Sequence, residues 1–190
     1  MNRNLIFGII IALLLVAAGA WYFFGARGNG SAVSAPELSF SAGSPSGQES
    51  VSPPQVPAGW RKYENAQYGF SLFVPPELSV NTFDEGGGAH TFTFEDAKLE
   101  KGFQIFVVPY SGTAISPERF LKDAPSGVMK ERIDVIIGGV TAAAFFGEHT
   151  LMGETREVWF LHGDYLFEVT TYKPLDSWLA EIMSTWRFLK

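Results

Sequence analysis

Three histidines, His90, His149 and His162, are the side chains best suited to metal binding or to proton transfer near neutral pH. Two sit beside carboxylates, in Glu148-His149 and His162-Gly163-Asp164, the pairing that a metal or acid–base site requires. The spacing goes no further. No HExxH or other fixed ligand pattern is present, and His90 and His162 fall at strand starts or turns, where a solvated side chain is the plainer reading. The serines concentrate in Gly28–Gly59, and none lies in a G-x-S-x-G elbow. Gly86-Gly87-Gly88 precedes a strand pattern, so no helix N-terminus follows it to receive a phosphate, and it reads as a hairpin tip. Asp84-Glu85 and Glu95-Asp96 flank that hairpin as solvating charges, and Trp159, Trp178 and Trp186 read as core aromatics, not a ligand cage. Cysteine is absent, which excludes thiolate catalysis, cysteine-ligated zinc or iron–sulfur centres and a lipidated-cysteine anchor. No catalytic, cofactor-binding or metal-ligating residue is assigned, and no cofactor.

The elements that carry these residues begin with Leu5–Phe24, twenty residues without a charge. As a helix they span about 30 Å, the thickness of a bilayer's hydrocarbon core. Twelve are Leu, Ile, Val or Phe, together worth roughly −4 to −7 kcal/mol of insertion free energy. Trp21 and Tyr22 stand where an interfacial aromatic belt would lie. A cleaved secretory signal is the competing interpretation, since Arg3 supplies a basic start and Ala18-Gly19-Ala20 a small-residue site. The apolar run continues past that site through Phe24, which favours an uncleaved anchor. Arg3 and Arg27 flank the segment, but Gly28–Trp60 holds no Lys or Arg, so the positive-inside rule predicts a cytoplasmic N-terminus and an extracytoplasmic C-terminal bulk.

Gly28–Gly59 contains 18 Gly, Ser or Pro among its 32 residues and only Glu37 and Glu49 as charges. That composition predicts a disordered tether with a reach of about 30 Å. Leu38-Ser39-Phe40 is its one apolar spot, and Asn29-Gly30-Ser31 is a weak match to a glycosylation acceptor. Trp60–Lys190 then holds 131 residues, room for one domain with its own core and no disulfides. Its 18 acidic and 12 basic residues, with no basic block, argue against a nucleic-acid or anionic-lipid binding face, since phosphates reward clustered Lys and Arg.

Within this domain Tyr68, Phe70, Leu72 and Val74 alternate as a half-buried strand that Pro75-Pro76 ends. Asp84–Gly88 reads as a turn before a strand carrying Phe92 and Phe94, and Phe103–Val108 is apolar on both faces, as in a central strand. Ser116-Pro117-Glu118 starts a helix running to about Asp123, with Ile115 and Phe120 at the hydrophobic-staple positions. Arg132–Ile137 and Val140–Phe146 flank a Gly138-Gly139 hairpin turn, and Glu154–Leu161 and Tyr165–Tyr172 are two more strands. Val158 and Phe160 should face one side, Trp159 and Leu161 the other. Leu175, Trp178, Leu179, Ile182, Met183 and Trp186 form one stripe of a closing helix, followed by a short strand at Arg187-Phe188-Leu189. The fold class expected is α+β, an antiparallel β-sheet of hairpins flanked by helices.

Tyr63-Glu64-Asn65, Tyr68–Leu72 with Val74-Pro75, the mid-domain Ser-Pro-Glu helix, the Ile136–Ala142 hairpin and the closing strand, helix and tail resemble a PsbP-like domain over Trp60 to Lys190. The resemblance implies an α/β/α sandwich around an antiparallel sheet. Named members of that fold are mostly non-catalytic, a photosystem extrinsic subunit and a small-GTPase-binding nuclear factor. No binding residue of either maps onto this chain. The expected function is a membrane-tethered extracytoplasmic binding or structural module, held by Leu5–Phe24 and meeting a protein or small ligand outside the membrane. The alternatives are an extracytoplasmic hydrolase or metal-dependent enzyme, which should gather His149, His162 or Asp164 in one concave site, and a small-ligand carrier with a deep apolar cavity.

Overall fold

The computed structural model describes residues 56–190. The anchor and most of the tether expected at Leu5–Phe24 and Gly28–Gly59 lie outside the described residues. Among those described, no helix is long and apolar enough to cross a membrane.

Within the described residues ten strands and two helices follow in the order β1 (Arg61–Asn65), β2 (Phe70–Val74), β3 (Ser79–Gly86), β4 (Ala89–Asp96), β5 (Lys101–Pro109), α1 (Pro117–Asp123), β6 (Lys130–Ile137), β7 (Val140–His149), β8 (Gly153–His162), β9 (Tyr165–Tyr172), α2 (Asp176–Ser184) and β10 (Arg187–Phe188). A 3₁₀ turn over Lys173–Leu175 leads into α2. The α+β antiparallel class is the one expected, with one correction to its architecture. The strands form two sheets: a seven-stranded sheet in the order β3-β4-β5-β9-β8-β7-β6 and a three-stranded sheet in the order β1-β2-β10. The small sheet and α2 together cover the inner face of the large sheet, and α1 with its flanking residues Tyr110, Ile115, Ala124 and Met129 lies over part of its outer face.

The main core sits between the sheets. Phe70, Leu72, Phe94, Phe103, Ile105, Phe160, Phe167, Ile182 and Trp186 are all buried there. The smaller core joins Ile115 and Phe120 to Ala143, Phe145, Trp159 and Leu166. The alternation expected of β8 is thus observed: Val158 and Phe160 enter the main core, Trp159 and Leu161 the other. Tyr68, Phe70, Leu72 and Val74 present one buried face, as their spacing predicts, and β5 lies inside the sheet. Gly138 and Gly139 adopt φ of 59° and 93°, the left-handed pair a type I′ hairpin turn needs.

The start of α1 follows its local chemistry. Ser116 Oγ accepts from Arg119 N at 3.2 Å, and Pro117 occupies the first turn, where its missing N–H costs nothing. Ser116→Ala should lower unfolding stability by about 1 kcal/mol, read from the shift of the urea midpoint. An unchanged midpoint would mean that α1 is held by Ile115 and Phe120 alone.

β1 and β3 carry little sequence signal. Both are edge strands, and β3 (SVNTFDEG) buries almost nothing, so no apolar alternation is required of it. The turn expected over Asp84–Gly88 is correspondingly shorter, since β3 runs on to Gly86. Arg61 Nη2 donates to Leu78 O at 2.5 Å, and Ser79, the next residue, pairs with Glu95 near the end of β4. The chain therefore joins the domain at the end of the large sheet that carries the β4–β5 and β7–β8 turns. This is the proximal end, and the distal end carries the β3–β4, β6–β7 and β8–β9 turns.

Candidate functional site

Antiparallel register decides which polar residues meet. Across the outer face, Thr91, Phe106, Glu168, Trp159 and Ala143 stand in one row, and Thr93, Gln104, Thr170, Glu157 and Phe145 in the next. α1 covers the β7–β9 side through Phe120, whose ring meets Phe145 at 5.9 Å and Trp159 at 5.5 Å. No β3 or β4 residue belongs to that cluster. The β4–β5–β9 part of the face carries Thr91, Thr93, Gln104 and Thr170 beside Phe106, with Glu157 and Glu168 along the margin of α1.

Glu157 Oε2 accepts from Trp159 Nε1 at 3.1 Å and from Thr170 Oγ1 at 2.7 Å. Part of the residue's surface stays in solvent, but its carboxyl lies among enough protein atoms that burial raises its proton affinity, against the lowering effect of those donors. Glu168 is buried more deeply. Burial, and then the neighbouring Asp123 carboxylate, push its pKa well above the usual carboxylate range, with Arg119 opposing. Arg119 Nη2 stands 3.8 Å from Glu168 Oε1, beyond hydrogen-bond reach, while its Nε donates to Asp123. Among the described residues, the buried atoms Glu168 Oε1, Thr91 Oγ1, Thr93 Oγ1 and Gln104 Oε1 have no hydrogen-bond partner of good geometry. Glu85 and Glu95 still feel Thr91 and Thr93 as weak donors that lower carboxyl pKa values which burial raises.

A hydrolytic acid–base pair has environments that push its two carboxyls apart in proton affinity. Glu157 and Glu168 are pushed the same way. Both carboxyls hold a proton more tightly than a free one, and of the two only Glu157 keeps part of its surface in solvent.

The histidines are not brought together. His149 closes β7 at the proximal end and His162 closes β8 at the distal end; nine residues of strand separate His162 from Gly153, the residue opposite His149. At about 3.3 Å per residue that is roughly 30 Å. A single site using His149 with His162 or Asp164 is therefore not formed. Nor are the histidines simply solvated turn residues. His90 Nδ1 lies 2.6 Å from Tyr68 Oη, the His162 ring stacks on Phe188 at 3.5 Å, and His149 Nδ1 accepts from Leu151 N at 3.1 Å. Burial lowers the pKa of His149 and His162, which keeps both neutral near pH 7. Asp96, expected to be a solvating charge, is buried and accepts from the N–H groups of Lys98 and Leu99. Trp159 and Trp186 are core residues, as expected. Among the described residues no group of three or more His, Asp or Glu is placed to hold a metal ion.

The remaining ion pairs join elements. Arg156 grips Asp176 with two bonds of 2.6 and 3.0 Å, tying β8 to α2 while its guanidinium lies 3.9 Å over the Phe146 ring. Lys173 pairs with Glu154 at 3.1 Å. An open cleft of about 800 Å³ at the proximal end is bordered by Glu100, Met152, Tyr172, Pro174 and Leu175.

Glu157 and Glu168 escaped the sequence reading. The one available signal was a glutamate inside YLFEVTTY, otherwise a strand of aromatic, aliphatic and threonine residues.

No family model and no curated protein sequence matches the chain. Among solved structures, it is similar to the solution structure of cyanobacterial PsbP (CyanoP) from Synechocystis sp. PCC 6803, with a TM-score of 0.49 and 13% identity over 69% of this chain and 93% of that one.

Proposed function

We propose that the chain is a membrane-tethered extracytoplasmic module of PsbP-like type that binds or scaffolds without catalysis. The observation that carries this reading is the use of its ionisable groups. Arg156–Asp176 and Lys173–Glu154 link elements, Arg119–Asp123 braces α1, and His149 and His162 stand at opposite ends of the sheet. The tether belongs to the same reading through Leu5–Phe24, whose length and lack of charge suit a bilayer span. The half-exposed part of the polar strip, Gln104, Glu157 and Thr170, is the surface best suited to a ligand that brings hydrogen-bond donors.

Protease added to intact cells should release a fragment beginning within Gly28–Gly59. A domain protected from outside but cleaved from the cytoplasmic side would reverse the orientation. On the binding side, Glu157→Gln should weaken capture of a partner by the full chain without changing its melting temperature by more than a few degrees. Retention of capture by this variant would move the binding surface away from the strip.

A further inference from the structure

Leu99 and Leu151 are large apolar residues left 58% and 54% exposed, on the β4–β5 and β7–β8 turns. Both turns lie at the proximal end and border the same cleft, through Glu100 and Met152. Each is fixed in the same manner, with the leucine's own N–H held by a side chain from the end of the preceding strand. The Asp96 carboxylate accepts from Leu99 N at 3.3 Å and His149 Nδ1 from Leu151 N at 3.1 Å. A pair of leucines held outward on braced turns is not a by-product of loose loops. Lys98 and Glu100 stand on either side of Leu99, Lys101 follows, and Lys173 at the cleft is paired with Glu154, so the apolar tips have a rim of mixed charge. The chain joins the domain at this end, where Trp60 N donates to Pro57 O and Arg61 reaches Leu78. The other exposed large apolar residues, apart from Val56 at the chain's approach, lie on the edge strands β3 and β6 beside charges such as Asp84, Arg132 and Asp134.

We propose that the proximal end rests on a lipid surface, with Leu99 and Leu151 entering the bilayer interface and the rim of mixed charge lying at headgroup level. The inference rests on Leu5–Phe24 being a membrane anchor, because the tether would then deliver this end, not the distal one, toward the bilayer. A lipid is favoured over a protein occupant because the tips are small and separate and stand at the end where the chain leading from Leu5–Phe24 enters the domain.

The absence of cysteine makes the test direct. The full chain, reconstituted in phosphatidylcholine vesicles with and without phosphatidylglycerol, carries a single environment-sensitive NBD label at Leu99→Cys, at Leu151→Cys or, as the distal control, at Asp164→Cys. Flotation is read first, then emission and quenching by spin-labelled lipid. The expected result is flotation of all three, with a blue shift and lipid quenching at positions 99 and 151 and neither at 164. Flotation without quenching at 99 and 151 overturns the inference and leaves the anchor in place. A blue shift that spin-labelled lipid does not quench marks contact between protein chains and also overturns it. Failure to float overturns both.

Discussion

Trp186→Ala is expected to cost about 3–5 kcal/mol of folding stability, enough to unfold a marginal domain. The indole is fully buried where α2 passes into β10. It stacks on Phe70 with ring centroids 4.5 Å apart and meets Phe160 and Phe167 edge-on at 5.2 and 5.8 Å. One side chain thus joins the small sheet to the large one, and its removal leaves a cavity that aromatic neighbours on three strands cannot easily fill. Its Nε1 has no hydrogen-bond partner among the described residues, an unsatisfied donor that costs about 1–3 kcal/mol in itself. Trp186→Phe should therefore lose much less, within about 1.5 kcal/mol, because it keeps most of the ring and removes that donor. Urea unfolding of the two variants beside the parent measures both. An alanine variant within about 1 kcal/mol of the parent would show that the inter-sheet core does not depend on this stack.

Glu168→Gln should stabilise the domain at pH 8 and leave it unchanged near pH 4. The folded chain raises the Glu168 pKa well above 4.5 by burial and by the adjacent Asp123 charge. Below about pH 4 both folded and unfolded chains hold the proton, and the group's full contribution to stability is present. As pH rises past the ordinary carboxylate range, the unfolded chain releases its proton first. Stability is then lost until the folded carboxyl also ionises. Glutamine keeps the shape and does not titrate. Since each unit of raised pKa is worth about 1.4 kcal/mol, the gain at pH 8 should clearly exceed the roughly 0.5 kcal/mol of an ordinary surface substitution. The groups facing Glu168 are Asp123, Arg119 and Glu157, so Asp123→Asn should flatten the same slope in part. A stability difference between parent and Glu168→Gln that stays constant from pH 4 to pH 8 would sink this account.

The elements legible in the sequence are those whose stabilising contacts are local or periodic. Ser116-Pro117-Glu118 starts a helix because cap, ring and charge all act within one turn, and Gly138-Gly139 turns a hairpin because both residues can take positive φ. β9 was bounded at Tyr165 and Tyr172 because turn residues stop it on one side and a proline-containing 3₁₀ turn on the other. β1 and β3 were missed because an edge strand needs hydrogen bonds from one neighbour and very little buried side chain. Asp96 and the histidines look like solvated groups in the sequence because their partners, backbone N–H groups and aromatic rings, leave no trace in the spacing of acids and bases.

The amino-acid sequence by itself determined the α+β class, the two-faced character of β8, the Trp178, Leu179, Ile182 and Met183 stripe of α2 (Leu175 and Trp186, expected on the same helix, lie just outside it) and the absence of any cysteine or fixed ligand motif. Each of these follows from periodicity or composition. The tertiary structure decided that the strands divide into two sheets, because that depends on β10 returning to β2 across more than a hundred residues. It also decided which carboxyls are neighbours, since Glu157 and Glu168 stand in adjacent rows only through the Trp159–Glu168 register of β8 and β9. Long-range register is set by whole buried faces matching one another, and no short stretch of residues encodes it.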